Sequence, residues 1–457
     1  FLARLLEPAE FGLIAMISVI IGMAKIFIDI GFGGAIVQRR RVHQAHYTSV
    51  FYFNICVGTV LCLLTMFSAS SIADFYGNEQ LVPLTQVMSL LFLINAFCSL
   101  QTSILRRKLQ FHLLTKIAIV SAVIGGVIGV TLAVYGAGVW SLVAQTLSSG
   151  ISYNILIWSV SKWTPTLLFS LKALKQLWGF SSRMFVSVLL DTLISKLDII
   201  IIGKLTGPAN LGLFQRARGL NRMVIHYSSG PLIPVLFSVL SKIQNDLHQF
   251  QNIIVKTFGI VNFVVFLLLG GLYLVSEELI VLLFTEKWLP SAEYLKILIL
   301  SGFEIPIGAV LITVLSSRGN SKVFLRLEIY KRSLFVLNLA LLFLISIKGY
   351  LYGLVLVSIL AFMMDIIFAS REIKLPMHVF IRPFASQMFI CVMVVLCVLF
   401  LAQLVELSDG ASFVLKGSLF TFFYVFFSWI LKTSSYRFCY EQLVPIIKRK
   451  FSKNPSV

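Results

Sequence analysis

The sequence predicts an all-α integral membrane protein, because of its composition, its long apolar runs and the placement of its charges. Of its 457 residues, 58% are hydrophobic and 12% are charged, whereas about a quarter of a soluble domain is charged. A net charge of +19 would indicate nucleic-acid binding in a soluble protein. Here the basic residues lie in short segments between apolar runs, as in cytoplasmic loops. The chain therefore reads as a multi-pass membrane protein that binds no nucleic acid.

A membrane-spanning helix needs about 20 mostly apolar residues, and on this basis we predict thirteen spans. They lie at 11–37, 46–72, 81–105, 113–135, 138–160, 177–203, 211–239, 253–275, 291–316, 333–347, 350–370, 384–404 and 412–431.

The connections between these spans alternate in charge. One set, which includes 39–43, 161–176 and the C-terminal tail, carries 26 of the 38 Lys and Arg residues. Because cytoplasmic loops are enriched in Lys and Arg, this set and the tail are predicted to be cytoplasmic. An odd number of spans then starts the chain outside, and we predict that a first helix is missing before Phe1.

A repeat divides the chain. The phrase LEPAEFGL at 6–13 returns as TGPANLGL at 206–213, and VYGAGVWSLV at 134–143 resembles IKGYLYGLV at 347–355. Each copy holds six helices, an even number, so the copies are parallel and related by an axis along the membrane normal, as in duplicated transporters. We predict two six-helix lobes around a central cavity. The predicted divisions are an N-terminal lobe at 1–160 without its first helix, a cytoplasmic linker at 161–176, a C-terminal lobe at 177–370, two additional helices at 384–431 and a basic cytoplasmic tail at 432–457.

Eleven charged residues lie within the predicted spans. Each costs at least about 2.5 kcal/mol at a lipid-facing midplane, so we expect these residues to face one another or a wet cavity. They are Lys25, Arg183, Lys196, Arg216, Arg218, Arg222, Asp29, Asp191, Asp198, Glu304 and Asp365.

A polar stripe follows one face of the span at 211–239, because helical spacing places several polar residues in line. The stripe consists of Gln215, Arg218, Arg222, His226 and Ser229. Two hundred residues earlier the same face carries Ser18, Gly22 and Asp29, with Lys25 in line. Two equivalent helices with equivalent polar faces indicate a shared cavity.

The stripe has a functional interpretation. Arg218 and Arg222, with Lys25 across the cavity, would hold an anionic group, since a guanidinium bonds two phosphate oxygens at once. Arg183, Gln215 and His226 are predicted to line the same cavity.

The alternative is structural and stays open from the sequence alone. In that interpretation the charges only join helices, Lys25 pairing with Asp29 and Arg183 with Asp191. Arg222 would pair with an acid such as Glu304.

The acids Asp29, Asp191, Asp198 and Glu304 are assigned to coupling or to helix pairing. Glu304 precedes Pro306, and a kink there would expose a carboxylate and backbone oxygens to a cation. Coupling to a proton or sodium gradient is therefore a prediction. No catalytic residue, metal site or other cofactor is expected, because no HExxH motif, P-loop or Cys/His cluster with metal-ligand spacing occurs.

Four stretches carry a family resemblance: ARLLEPAEFGLIAM, DIGFGGAIVQRR, KLDIIIIGKLTGPANLGLFQRA and PVLFSVLSKIQND. They resemble the polysaccharide transporter branch of the multidrug, oligosaccharidyl-lipid and polysaccharide exporter superfamily, above all its O-antigen (Wzx-type) flippases and colanic acid exporters. The resemblance implies alternating access in the bacterial inner membrane and outward movement of an undecaprenyl-pyrophosphate-linked sugar unit. It also implies that the cavity cations receive the pyrophosphate and that polysaccharide polymerases and ligases are partners.

Two other classes are ranked lower. A drug or organic-cation antiporter of the same superfamily would need a cavity rich in carboxylates and aromatic rings, whereas the stripe carries two arginines and no acid. A membrane polymerase or glycosyltransferase would need a sizeable external loop or domain, and no predicted loop approaches the size of a domain.

Overall fold

The computed structural model describes residues 1–404 and 408–441, apart from the side chains of Ala24, Phe180, Arg183 and Met184. Every regular element in these residues is a helix, so the all-α class is confirmed. Nine helical segments of the described chain are long and apolar enough to cross a membrane, and one of them, Pro290–Ser317, is divided into two helices. The chain forms two compact units, which divide between Gly212 and Leu213.

The first unit contains eight helices and the beginning of a ninth. They are α1 (Leu2–Leu5), α2 (Pro8–Asp29), α3 (Phe32–Gln38), α4 (Gln44–Phe67), α5 (Ala69–Tyr76), α6 (Leu81–Arg107), α7 (Phe111–Val134), α8 (Val139–Ser161) and α9 (Leu171–Ser229), which is interrupted at Gly207.

Helix α2 begins at the repeated phrase and ends at a sharp break. Pro8 occupies the first turn, where a missing N–H costs nothing. The Glu10 carboxylate accepts the Glu7 backbone N–H at 2.7 Å and completes a capping box. The helix ends because Ile30 and Gly31 adopt left-handed conformations, with φ of 42° and 76°, so α3 starts in a new direction.

The two copies of the repeated phrase lie against each other. A Cβ added to Gly12 would come within 1.8 Å of the Pro208 carbonyl oxygen, and a Cβ added to Gly212 within 1.9 Å of the Pro8 carbonyl oxygen. Both contacts fall within the first unit. The repeat therefore preserves a reciprocal backbone crossing in which each copy supplies the glycine that the other copy's proline carbonyl requires.

Small residues also set the approach of α7 to α8. A Cβ on Gly125 would lie 2.6 Å from the Gln145 carbonyl oxygen, and one on Gly129 would lie 2.8 Å from the Gln145 side chain. Such close packing is typical of membrane helices, where small residues let backbones approach.

The second unit takes the remainder of α9 and ten further helices. They are α10 (Leu232–Lys242), α11 (Leu247–Leu274), α12 (Ser276–Phe284), α13 (Pro290–Gly302), α14 (Glu304–Ser317), α15 (Ser321–Asn338), α16 (Ala340–Leu344), α17 (Ile347–Ile373), α18 (His378–Ala402) and α19 (Asp409–Ile430).

The order of elements repeats along the chain. The part of α9 from Pro208 ends at Ser229, as α2 runs from Pro8 to Asp29, and α10 begins at Leu232 as α3 begins at Phe32. Each copy then continues with a long helix, a short helix and further long helices. The 200-residue offset thus extends from the phrase to the break that follows it.

A proline explains the division between α13 and α14. Pro306 has no N–H to donate to the carbonyl four residues before it, which belongs to Gly302, and α13 ends there. The structure thus divides the helix just before Pro306, and the kink predicted there stays a prediction.

The predicted boundary at 333 is wrong, because α15 begins twelve residues earlier at Ser321. Its first turns are too polar to register as a span, and Asn320 caps them by accepting the Val323 N–H at 3.4 Å. Lys331, which the sequence assigns to a cytoplasmic loop, lies inside this helix.

The predicted spans at 138–160, 177–203, 211–239 and 333–347 fall on helical segments that are not among the nine apolar segments of the described chain. The number of thirteen spans therefore stays a prediction, and so does the missing first helix. The lobe limits also stay predictions. Packing divides the chain after Gly212, because the start of α9 packs in the first unit, where Leu174 and Leu177 join a core with Phe32 and Phe51.

The two additional C-terminal helices, α18 and α19, pack on α11 through buried polar bonds. The Tyr424 hydroxyl donates to the Gln387 side-chain oxygen at 2.7 Å and lies 3.1 Å from the Phe263 carbonyl. The Asn262 amide donates to the Pro383 carbonyl at 2.9 Å. These bonds hold the three helices in a fixed register.

An ion pair joins α12 to α19. Glu278 bonds the Lys416 ammonium and accepts the Ser412 hydroxyl at 3.0 Å. Burial raises the pKa of Glu278, but its hydrogen bond with Lys416, together with other nearby donors, outweighs burial and holds the pKa below the usual 4.5.

We predict that Gly12→Ala and Gly212→Ala each lower the melting temperature of the purified protein. Each methyl group would overlap a carbonyl oxygen, and overpacking of this kind costs about 1–3 kcal/mol. Gly126→Ala is the control, because its Cβ meets nothing within 4 Å. Equal melting temperatures for Gly12→Ala and Gly126→Ala would contradict the reciprocal crossing.

A second prediction concerns pH. Because the pKa of Glu278 is lowered on folding, its ion pair stabilises the protein above the usual pKa of 4.5 and is lost as the pH falls through the lower folded-state value. Wild type and Glu278→Gln should differ in melting temperature near neutral pH and converge as the pH falls below the lowered folded-state pKa of Glu278. Glu277→Gln, whose side chain is 58% exposed, is the matched control and should differ little throughout. A difference for Glu278→Gln that does not shrink in acid contradicts the assignment.

Candidate functional site

The first unit contains a cavity of about 790 Å³, within the range of ligand sites. Its walls come mainly from α2, α6 and α8, with two residues each from α7 and α9, and we refer to it as the α2–α6–α8 cavity. The break after Asp29 opens its wall, because Ile30 and Gly31 turn the chain away and Gly31 itself lines the space.

Two basic side chains enter this cavity. Lys25, predicted as a cavity residue, lines it from α2, and Arg106 lines it from the end of α6. Both side chains are exposed. Lys25 acts electrostatically on Cys98, and Arg106 acts on Asp29. The cavity therefore presents two positive charges, one from α2 and one from α6.

Asp29 also lines the cavity, but its main contacts are local. Its Oδ1 accepts the Gly33 backbone N–H at 2.8 Å and the Ser99 hydroxyl at 3.4 Å. Asp29 thus caps the first turn of α3, whose leading N–H groups have no partner within the helix. The suggested Lys25–Asp29 ion pair is wrong: no ion pair joins them in the described part of the chain, since the carboxylate turns toward the break.

Hydroxyl groups are the main uncharged polar groups on the otherwise largely apolar wall. Thr102 donates to the Cys98 carbonyl at 2.9 Å and lies 3.3 Å from the Tyr153 hydroxyl. Thr146 donates to the Leu142 carbonyl at 2.8 Å. Because these groups give their protons to their own helices, their oxygens can accept hydrogen bonds from a ligand that carries hydroxyls. The wall is suited to a polyhydroxylated molecule.

The predicted polar stripe lies in the second unit. Arg222 and His226 are exposed, Gln215 and Arg218 are half-buried, and Ser229 is buried. The Arg218 guanidinium carbon lies 5.6 Å from the centre of the Phe214 ring. A cavity role for the predicted site residues Gln215, Arg218, Arg222 and His226 stays a prediction.

Arg216, next to the stripe, is held between aromatic rings. Its guanidinium carbon lies 4.8 Å from the Phe284 ring centre and 5.1 Å from that of Trp288. Two cation–π contacts offset the cost of burying this charge.

Glu304 lies in a buried charge cluster. It bonds the Lys331 ammonium at 2.8 Å, and Asp365 bonds the same ammonium at 2.9 Å. The acid suggested as a partner for Arg222 therefore pairs with a lysine that sequence analysis placed in a loop.

The other predicted acids occupy α9. Asp198 is buried, and its Oδ1 accepts the Ile199 N–H at 2.8 Å, whereas Asp191 is exposed. Arg183 lies on the same helix, and its side chain is outside the described residues. Coupling roles for Asp191 and Asp198 stay predictions.

Sequence analysis missed Arg106 and Lys331. Both were counted among loop cations, because each follows or precedes an apolar run rather than lying within one. The available signal was helical spacing, since Arg106 follows Thr102 and Ser99 on one face of α6 at intervals of four and three residues.

Comparison with known families decides the relationship. Residues 1–293 match the model of a family described as "Polysaccharide biosynthesis protein". The chain belongs to this family.

Two relatives of this chain are named for the biosynthesis of a teichuronic acid and of a lipopolysaccharide. It is 30% identical over 288 residues to the teichuronic acid biosynthesis protein TuaB of Bacillus subtilis, which covers 61% of this chain and 58% of that one. It is 25% identical over 343 residues to the lipopolysaccharide biosynthesis protein WzxC of Escherichia coli, with coverage of 73% and 68%. The chain thus matches under two thirds of the length of TuaB.

The fold of this family member is also that of a solved transporter. The lipid II flippase MurJ, in an inward closed conformation, superposes with a TM-score of 0.72 over 97% of this chain and 96% of that chain, at 14% identity. The predicted transporter fold is thereby confirmed.

We predict that Asp29→Ala lowers the melting temperature, because it removes the acceptor for Gly33 and Ser99, and loss of a cap costs about 0.5–2 kcal/mol. Asp29→Asn keeps an acceptor oxygen and should retain most of the stability. If Asp29→Ala matches wild type in thermal unfolding, Asp29 is not a structural cap.

Proposed function

We propose that this protein is a flippase that moves a lipid-linked saccharide with an anionic headgroup across the bacterial inner membrane. The supporting findings are its family, the glycan pathways named for TuaB and WzxC, and the MurJ-like fold. The substrate we propose is an undecaprenyl-pyrophosphate-linked oligosaccharide for O-antigen or exopolysaccharide synthesis.

The observation that carries this proposal is the α2–α6–α8 cavity. Lys25 and Arg106 provide two positive charges where a membrane protein normally excludes charge, and Thr102, Thr146 and Tyr153 provide hydroxyls beside them. Positive charges bind pyrophosphate, and the protein hydroxyls form hydrogen bonds with sugar hydroxyls.

In this proposal each residue has a distinct task. Arg106 bonds two phosphate oxygens through its planar fork, while Lys25 neutralises charge as a flexible point cation. Asp29 keeps the wall open by fixing the break between α2 and α3. Alternating access then exposes the loaded cavity to each side in turn.

A drug or organic-cation antiporter is less well supported. Its cavity would need carboxylates to attract a cation, yet here Asp29 is engaged by Gly33 and Ser99 and is outnumbered by two basic groups. We also infer that the protein is no enzyme, that its C-terminus is cytoplasmic and that polysaccharide polymerases and ligases act beside it.

The test is complementation of a bacterium that lacks its own O-unit flippase, using the native gene with any preceding helix included. We predict that Lys25→Glu and Arg106→Glu reduce surface glycan at least about tenfold, since reversing the charge of a group that binds phosphate costs about 1.4 kcal/mol or more. Lipid-linked oligosaccharide should accumulate at the cytoplasmic face. Arg222→Glu tests the predicted stripe in the same assay.

Lys172→Glu is the matched control, because it reverses an exposed cytoplasmic charge outside the cavity. It should support wild-type glycan at equal membrane abundance. Normal glycan in Lys25→Glu and Arg106→Glu would refute the anionic-substrate proposal, provided that the parent gene complements. If the parent fails, strains with related glycans are tested first.

A further inference from the structure

A second polar centre lies in the other unit, apart from the α2–α6–α8 cavity. It consists of Glu304 on α14, Lys331 on α15 and Asp365 on α17, and we refer to it as the lysine–carboxylate cluster. The Asp365 side chain is fully buried, and the Glu304 and Lys331 side chains are 12% and 17% exposed.

The arrangement of this cluster resembles the binding of an ion. One ammonium receives one oxygen from each of two carboxylates, at 2.8 Å and 2.9 Å. Gly308 creates the space for both acids, because a Cβ there would lie 2.5 Å from Asp365 Oδ2 and 2.9 Å from Glu304 Oε1. The two carboxylates therefore converge on the point that the ammonium occupies.

The single ammonium leaves ligand capacity unused. Asp365 Oδ1 is buried and has no hydrogen-bond partner among the described residues. The cluster is thus built for a cation and is not saturated by its lysine.

Several other charged groups on the neighbouring helices have partners of their own. The groups that act electrostatically on Asp365 are Lys331 and Glu304. Ion pairs elsewhere on these helices include Lys348–Glu293, Lys296–Glu277, Arg318–Glu372 and Arg332–Glu328.

The structure assigns to Glu304 and Asp365 a monovalent-cation site whose occupant is the ammonium of Lys331. A divalent ion is disfavoured, because calcium takes six to eight oxygen ligands and the described residues contain no group of three acidic, His or Cys side chains able to hold a metal. Because the Lys331 ammonium already occupies the site, free sodium does not bind there. The coupling role predicted for Glu304 then does not use sodium. The inference does not depend on the proposed flippase activity.

The test removes the resident cation. Purified wild type and Lys331→Ala are melted in sodium chloride, ethylammonium chloride and choline chloride at equal ionic strength. We predict that wild type melts at one temperature in all three salts. In Lys331→Ala, sodium and ethylammonium should raise the melting temperature by about 3 °C or more over choline, because a ligand that binds the folded state stabilises it.

The matched control is the triple variant Lys331→Ala, Glu304→Gln, Asp365→Asn, which has no carboxylate in the cluster. Its melting temperature should be the same in all three salts. If Lys331→Ala unfolds in every salt, the double variant Lys331→Ala, Glu304→Gln is melted in its place. It keeps one carboxylate and should retain a smaller sodium response.

Three outcomes contradict the assignment: a wild type stabilised by sodium, a triple variant that responds like Lys331→Ala, or single and double variants that show no response to sodium and ethylammonium.

Discussion

A charge placed in the hydrocarbon of a membrane must be compensated by the protein itself, and this constraint organises both units. Arg216 meets it by lying between two aromatic rings, and Lys331 by binding two acids. Lys25 and Arg106 meet it differently, because they extend into a cavity large enough to hold a ligand. Paired charges hold helices together, and cavity charges remain available for binding.

Close contacts in the structure also depend on glycines. Gly12 and Gly212 let two helix starts cross at backbone distance, and Gly308 lets two carboxylates reach one ammonium. In each case the missing side chain creates a contact that no larger residue permits. Helix breaks serve a related purpose, since the break after Asp29 exposes N–H groups that a carboxylate then satisfies. Backbone N–H groups therefore become available to side chains where the regular helix stops.

Much of the fold could be predicted from the sequence, because apolar runs, loop charges and the repeat can be recognised in the sequence itself. The all-α class, the interruption at Pro306 and the polar position of Lys25 follow from such patterns. Arg106 and Lys331 could not be placed, because hydropathy ends a span where polarity rises, whereas hydrogen bonding continues the helix. The cap formed by Asp29 could not be predicted either. Its partner, the Gly33 N–H, lies after the helix break, and helical spacing does not relate residues on the two sides of a break.

The break between α2 and α3 has a counterpart between α9 and α10, and the helices that follow begin at Phe32 and Leu232. Two independent events would rarely interrupt two helices at the same register. The two copies of the repeat therefore share the helix break as well as the phrase that precedes it. One repeated segment of sequence thus sets two turns of the chain, one before Phe32 and one before Leu232.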